Sequence, residues 1–153
     1  MSTAPETSNV PTYPSATAAF SANPDHKQVL IAMVVATKNT LPFVTDESMD
    51  LAPDPRPPED KRGHHEEGRT ICVHSFGVLP AYQGRGLGKV LMKSYQQRME
   101  SSGIADRMAL LSHEGLVRMY TGLGFSNKGK SDVKFGGGGW TSLVSNVSCS
   151  ILW

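Results

Sequence analysis

The sequence has few cysteines, little net charge and no long apolar run, and each shortage excludes a class of protein. Its two cysteines, Cys72 and Cys149, lie too far apart for a metal-binding motif, which leaves two free thiols or one disulfide. A formal net charge of +1 gives no strong field to attract nucleic acid or an anionic membrane. The longest apolar run, 29–36, is far shorter than the ~20 residues of a membrane-spanning helix. We therefore expect no nucleic-acid partner and no membrane partner.

The start of the chain also lacks the basic leader and the apolar core of an export signal, which indicates a cytoplasmic location. Residues 1–27 are rich in Ser, Thr, Ala and Pro without apolar periodicity, a composition typical of disorder. The segment 39–69 is polar and has five prolines between positions 42 and 58, so we expect a long loop without regular structure. The tail, 145–153, shows no functional pattern.

Within that loop, the run His64-His65-Glu66-Glu67 has the residue types of a metal site. Adjacent ligands in a proline-rich loop converge poorly on one ion. We therefore interpret the run as a solvated loop and expect no metal.

Apolar spacing between the ends of the chain predicts an alternation of strands and helices, which defines an α/β domain over 28–144. Helical spacing predicts helices over 86–101 and 113–122. Strand patterns occupy 28–38, 70–78, 107–112 and two closing segments, from Phe125 and over 133–144, around a glycine-rich turn. The alternation in the second strand breaks near Gly77, as it would at a β-bulge.

Three glycines, Gly84, Gly86 and Gly88, stand between the strand at 70–78 and the helix that follows it. A strand, turn and helix of this kind direct free backbone N–H groups and the positive end of the helix dipole at one point, which suits a phosphate. Arg85 and Lys89 would add positive charge. A P-loop needs glycine at position 83, and a dinucleotide fingerprint needs Gly-x-Gly-x-x-Gly, so neither pattern fits.

The turn fits a different pattern, Gln/Arg-x-x-Gly-x-Gly/Ala, as Gln83-Gly84-Arg85-Gly86-Leu87-Gly88. In this motif the chain resembles the GCN5-related N-acetyltransferase (GNAT) superfamily, which uses it to grip the pyrophosphate of acetyl-coenzyme A. The segments 76–92 and 116–125 are similar to the two signatures of that superfamily, above all in its arylalkylamine and fungal polyamine acetyltransferases. The run FGGGGW at 135–140 adds to the fungal likeness.

The resemblance implies the mixed-sheet acyl-CoA N-acyltransferase (GNAT) fold, with acetyl-CoA as co-substrate and a small-molecule amine as partner. Domains of this superfamily normally open with a strand, two helices and a second strand ahead of the strand expected here at 29–37. Only 27 or so residues precede that strand. The resemblance therefore predicts that the N-terminal strand and helices of the domain are missing.

The resemblance also implies a coenzyme site. The backbone N–H groups of 84–89 would hold the pyrophosphate, and the strand backbone of Phe76, Gly77 and Val78 would pair with the pantetheine arm. A backbone N–H at the bulge, near Val78, would polarise the thioester carbonyl. The implied coenzyme-binding residues are Phe76, Gly77, Val78, Gln83, Gly84, Arg85, Gly86, Leu87, Gly88 and Lys89.

Two catalytic roles follow from the same resemblance. Tyr120 would protonate the departing thiolate, and His74 would accept, through water, the proton of the incoming ammonium. The animal arylalkylamine enzymes carry a second histidine where this chain has Cys72, so His74 would act alone or with another partner. From the residues alone, Tyr120 and His74 also fit ordinary core positions.

Two function classes therefore remain open. One is an enzyme that transfers acetyl to an arylalkylamine, such as serotonin, or to a polyamine. The other is an inactive or regulatory coenzyme-binding fragment. The motifs fix neither the amine nor the oligomeric state.

Overall fold

The computed structural model describes residues 29–147, in which five strands form one mixed sheet. The predictions made for residues 1–27 and for 148–153 of the tail lie outside the described residues. In chain order the elements are β1 (Ala32–Asn39), α1 (Asp46–Met49), β2 (Thr70–Val78), α2 (Leu87–Ser102), β3 (Arg107–Ser112), α3 (Glu114–Gly122), β4 (Ser126–Lys130) and β5 (Thr141–Asn146). Short 3₁₀ turns at Pro80–Tyr82 and Phe135–Gly137 precede α2 and β5.

The strands lie in the order β1-β2-β3-β5-β4. The neighbours β2 and β3 are parallel, with α2 as the crossover between them, and the other neighbouring pairs are antiparallel. β1 is an edge of this sheet, and its outward side chains Met33 and Val35 are 41% and 48% exposed. The mixed α/β sheet agrees with the predicted fold class.

Both long helices pack on one face of the sheet, α2 over β1 and β2, and α3 over β3, β4 and β5. The strands send alternate side chains to this face, because successive residues of a strand point to opposite sides. The main core consists of residues from three strands and both helices, including Ile71, Val73, Met108, Leu110, Leu143, Met92, Met99, Val117 and Tyr120. Gly103 ends α2 in the left-handed conformation, at φ +65°, which favours glycine.

The opposite face of the sheet carries a smaller cluster, Val44, Cys72 and Ala109, which the loop between β1 and β2 covers. The prediction that this loop lacks regular structure is wrong for α1. Thr45 Oγ1 accepts a hydrogen bond from the Ser48 N–H (3.1 Å), and Ser48 Oγ accepts one from the Thr45 N–H (2.9 Å). This capping box satisfies backbone groups that an uncapped single turn would leave unpaired.

Two strands begin later in the structure than their sequence patterns predict. β1 begins at Ala32 rather than residue 28, and β5 begins at Thr141 rather than 133, so 131–140 is a connection. His64 contacts Glu66 (2.9 Å) in the exposed loop, and over 29–147 no group of three or more His, Cys, Asp or Glu side chains is arranged to hold a metal. No helix within the same residues is long and apolar enough to cross a membrane.

Candidate active site

The candidate site begins where β2 and β3 separate. The two parallel strands pair only through Thr70–Cys72 and Arg107–Ala109, although β2 continues to Val78 and β3 to Ser112. The gap between their carboxyl-terminal halves, which we call the notch, leaves the β3-facing edge of β2 without a neighbouring strand. Backbone groups on such an edge are ready to bond another extended chain.

The register of β1 shows which backbone groups point into the notch. The Leu79 N–H donates to the Ile31 carbonyl (2.8 Å), so the opposite residues Ala32 and Val78 form a non-hydrogen-bonded pair. The N–H and C=O of Val78 therefore point away from β1, and so do those of Phe76, two residues earlier. The backbone groups of Gly77, by the same alternation, face β1.

A β-bulge lies in β2, but not at the expected position. The partners Val35–Ser75 and Ala36–Val73 are consecutive on β1 and leave His74 as the extra residue on β2. The prediction of a bulge near Gly77 is therefore wrong. The bulge at His74 changes the face to which the later side chains of β2 point. Val73 and Phe76, three residues apart, therefore both pack against the core on the helix face.

The turn between β2 and α2 presents unpaired N–H groups at the end of the notch. Gly84 and Gly86 have φ of +76° and +80°, in the left-handed region that favours glycine. Gly86 is the N-cap of α2 and supplies no side-chain cap, and the first turn of α2 contains no acidic residue. The N–H groups of residues 87–89 have no acceptor within the helix, and the Val90 N–H is the first to bond, to the Gly86 carbonyl (3.1 Å).

Gly88 is required for a different reason from the other two glycines. A Cβ at this position would lie 3.2 Å from Phe76 Cζ and 3.6 Å from Val78 Cγ2, so the missing side chain lets α2 pack onto β2. At Gly84 and Gly86, by contrast, a Cβ would meet nothing within 4 Å. Gln83 Nε2 donates to the Val78 carbonyl (2.9 Å) and fastens the turn to the strand end.

Positive charge accompanies the turn. The Arg85 guanidinium lies 5.6 Å from the centroid of the Tyr82 ring, within the range of a cation–π contact. Lys89, the third residue of α2, is exposed. The turn therefore combines free N–H groups, the positive end of a helix dipole and two cations, which suits a phosphate ligand.

Tyr120 lies beside the notch on the helix face. Its ring packs at 6.3 Å from Phe76 of β2 and edge-on at 5.8 Å from Phe125 (centroid distances). The side chain is 6% exposed, and this burial raises the pKa of Tyr120 above its ordinary value. The phenol therefore keeps its proton at neutral pH and is able to donate it.

His74 lies on the opposite face, under α1. Its Nε2 is 2.9 Å from the carbonyl oxygen of Ser48 and 3.1 Å from Thr37 Oγ1. A carbonyl oxygen only accepts hydrogen bonds, so Nε2 carries the proton and the neutral ring keeps its basic lone pair on Nδ1. The spacing of Thr45 and Ser48, which form the capping box, could have predicted α1. No local pattern predicts that Ser48 contacts His74, which lies 26 residues further along the chain.

Cys72, in the place of a second histidine, is a free thiol with no exposed surface. Burial raises the pKa of this thiol to about 11, and a hydrogen bond with Ser48 opposes the shift only in part. Cys72 therefore stays protonated at neutral pH and packs as a small apolar side chain.

Comparison with known proteins gives the family of the chain. The sequence profile described as "Acetyltransferase (GNAT) family" matches residues 20–125. The chain belongs to this family. Family membership, together with the mixed sheet, confirms the GNAT fold predicted from the motifs.

Individual GNAT relatives match over part of their length. The chain is similar to serotonin N-acetyltransferase of Mesocricetus auratus, 25% identical over 120 residues, which are 78% of this chain and 52% of that protein. It thus spans about half the length of this curated relative. The solved structure of PaiA N-acetyltransferase from Thermoplasma acidophilum with coenzyme A is 16% identical, with a TM-score of 0.42 over 52% of this chain and 47% of that one. A chimera of Vibrio cholerae spermidine N-acetyltransferase is 15% identical, with a TM-score of 0.45 over 52% of this chain and 51% of that one.

Proposed function

We propose that this GNAT chain transfers an acetyl group from acetyl-CoA to a primary amine, with an arylalkylamine such as serotonin as the favoured substrate. The observation that carries the proposal is the open β2 edge at the notch, which ends beside the uncapped N-terminus of α2. One feature suits an extended arm and the other suits a phosphate. Acetyl-CoA has both, because its pantetheine is an extended arm that ends at a pyrophosphate.

The residues present fit this co-substrate. The Phe76 backbone groups and the Val78 N–H, which face away from β1, would pair with the pantetheine arm, and an N–H of this edge, near Val78, would polarise the thioester carbonyl. The N–H groups of 84–89, with Gln83 as a brace, would hold the pyrophosphate. Bound there, acetyl-CoA supplies the activated acetyl thioester.

The two proposed proton-transfer residues, His74 and Tyr120, lie on opposite faces of the sheet. The ammonium loses a proton, through water, to Nδ1 of His74, and the neutral nitrogen attacks the carbonyl carbon directly. As the carbon–sulfur bond breaks, the Tyr120 hydroxyl gives its proton to the departing sulfur. The second proton that the nitrogen loses as the amide forms returns, through water, to the Tyr120 phenolate. The notch connects the two faces of the sheet. Tyr120 packs on the helix face, and His74 lies on the face that α1 covers.

The loop acids favour an arylalkylamine over a polyamine. A polyamine would be attracted by unpaired carboxylates, yet several in this loop are already paired with cations or imidazoles. Asp60 binds Arg62 at 2.6 Å, Glu66 contacts Lys38, and Glu67 contacts His65 at 3.3 Å. The curated relative that the chain matches is named for serotonin, which points in the same direction.

A thiol-release assay with acetyl-CoA tests the proposal across serotonin, tryptamine, phenylethylamine, spermidine and lysine peptides. We expect turnover with the arylalkylamines and the lowest kcat/KM with spermidine. Spermidine as the best substrate would instead identify a polyamine acetyltransferase. Coenzyme binding without turnover of any amine would show a coenzyme-binding fragment, and the enzyme proposal would fail.

Gly88→Val should weaken coenzyme binding by at least tenfold, about 1.4 kcal/mol. The added side chain would press on Phe76 and Val78, which border the notch, without straining φ at this helical position. Isothermal calorimetry with coenzyme A measures the effect. Gly115→Val is the matched control, because Gly115 is also the second residue of a helix and a Cβ there meets nothing within 4 Å. Unchanged affinity in a folded Gly88→Val variant would contradict the assignment.

A further inference from the structure

Beyond the proposed catalytic pair, one acidic side chain links distant parts of the site. Asp46, the first residue of α1, accepts hydrogen bonds at Oδ1 from the backbone N–H groups of Phe135 (2.7 Å) and Lys134 (3.0 Å). Those donors are 89 and 88 residues further along the chain. Asp46 therefore ties the loop that covers one sheet face to the glycine-rich connection before β5.

The connection that Asp46 grips is itself braced. Trp140 Nε1 donates to the Phe135 carbonyl (2.6 Å), and the Trp140 ring stacks on His113 with centroids 4.0 Å apart and 22° between planes. His113 is the N-cap of α3, the helix that carries Tyr120. The far end of the Asp46 tether is thus joined to the start of the Tyr120 helix.

The near end of the tether leads to His74. α1 has four residues, too few to be stable without external contacts. Its capping box lies inside the turn, whereas Asp46 connects the turn to another part of the chain. Two residues after Asp46, the buried Ser48 turns its carbonyl oxygen to Nε2 of His74 at 2.9 Å.

We propose that Asp46 is a positioning residue for His74. By anchoring α1 to residues 134–135, Asp46 holds the Ser48 carbonyl where it accepts a hydrogen bond from the Nε2–H group, so that the free lone pair of the neutral imidazole stays on Nδ1. The role in the reaction rests on the proposed function, since it matters for turnover only if His74 is the base. The positioning itself does not depend on that function.

The geometry separates the tether from the charge of Asp46. The two shorter bonds end on one oxygen, Oδ1, and only the longest, from the Lys134 N–H (3.2 Å), ends on Oδ2. The side-chain carbonyl of asparagine offers the Oδ1 acceptor without charge. Glu47 is the next residue of the same turn, and its exposed carboxylate makes no hydrogen bond with another described residue. Asp46→Asn therefore keeps the tether and loses the charge, Asp46→Ala loses both, and Glu47→Ala loses an equal charge nearby.

Long-range ¹H–¹⁵N spectra of the full chain, recorded where the imidazoles are neutral, test the proposal directly. The His74 signals are assigned by their disappearance in His74→Gln. We expect wild type, Asp46→Asn and Glu47→Ala to show a protonated Nε2 and an unprotonated Nδ1. In Asp46→Ala the two nitrogens should move toward the averaged values of a mixed-tautomer ring. An unchanged His74 tautomer in folded Asp46→Ala would overturn the proposal.

Kinetics then distinguish this proposal from the proposed function. With His74 as the base, kcat of Asp46→Ala should fall on the order of tenfold, with KM for acetyl-CoA unchanged, and Asp46→Asn should restore most of it. A changed tautomer with wild-type kcat would remove His74 from the reaction and leave the positioning established. If Asp46→Ala does not fold, Asp46→Glu, which keeps the charge but lengthens the side chain, provides the same comparison of tautomers.

Discussion

Replacing Tyr120 with phenylalanine is expected to lower kcat by roughly 10²-fold or more, with little change in coenzyme affinity. The substitution removes one hydroxyl and keeps the ring that packs against Phe76 and Phe125. The fold and the notch should therefore survive. What is lost is the proton donor to the departing sulfur, which matters only in the transition state.

Tyr95→Phe is the matched control for this experiment. Tyr95 lies on α2, packs against the same core, and has a pKa that burial also raises. Loss of its hydroxyl should leave kcat within about twofold of the wild type, because surface and core hydroxyls outside the site take no part in transition-state stabilisation. Wild-type kcat in Tyr120→Phe would return that residue to a purely structural role.

The pH dependence follows from the direction of the Tyr120 shift. A general acid must be protonated to act, and burial raises the pKa of Tyr120 above its ordinary value. Activity that depends on Tyr120 should therefore persist beyond the pH at which an ordinary tyrosine, with a pKa of about 10, loses its proton, and should decline only at still higher pH. In Tyr120→Phe the residual rate should lack this alkaline decline.

Elements with strong local patterns were predictable from the sequence. β2 occupies Thr70–Val78, as its apolar alternation indicates, and α2 occupies Leu87–Ser102, one residue from the prediction of 86–101. Both patterns are read from neighbours in sequence, and both elements are long enough for the period to be clear. The glycine turn was recognisable for the same reason, since its N–H groups come from consecutive residues.

The position of the β-bulge was not predictable in the same way. The bulge was predicted near Gly77 because glycine interrupts the apolar alternation there. The extra residue of β2 is instead His74. A bulge is a property of two strands, since it exists only relative to the register of the partner. That register depends on how β1 approaches across a loop of 30 residues, from Thr40 to Arg69, for which no local pattern accounts.

The environment of His74 was also beyond local patterns. Its partners Ser48 and Thr37 lie 26 and 37 residues away, and α1 is stabilised by a carboxylate contact that spans 88 residues. Asp46 appears in the sequence as one of several acids in a polar loop. Only the fold shows that its carboxylate accepts hydrogen bonds from the backbone N–H groups of Lys134 and Phe135.

Gly68→Ala is expected to destabilise the fold by about 3 kcal/mol, at the upper end of the usual range for overpacking. A Cβ at Gly68 would lie 2.7 Å from the backbone nitrogen of Asn39, and closer still to the carbonyl group of that residue. The obstacle is backbone at the end of β1, so no side-chain rotation relieves it. For a chain of this size the melting temperature should fall on the order of 10 °C.

Gly77→Ala is the matched control for thermal and urea unfolding, because Gly77 lies in β2 and a Cβ there meets nothing within 4 Å. It should shift stability by less than about 1 kcal/mol. Equal melting of wild type and Gly68→Ala would show that β1 and the turn before β2 do not approach as closely as the structure has them. The consequence would reach the site, because the Asn39–Thr70 pair begins the register that makes His74 the extra residue of β2. The loss of stability in Gly68→Ala and the position of His74, the proposed base, therefore both depend on the pairing of β1 with β2.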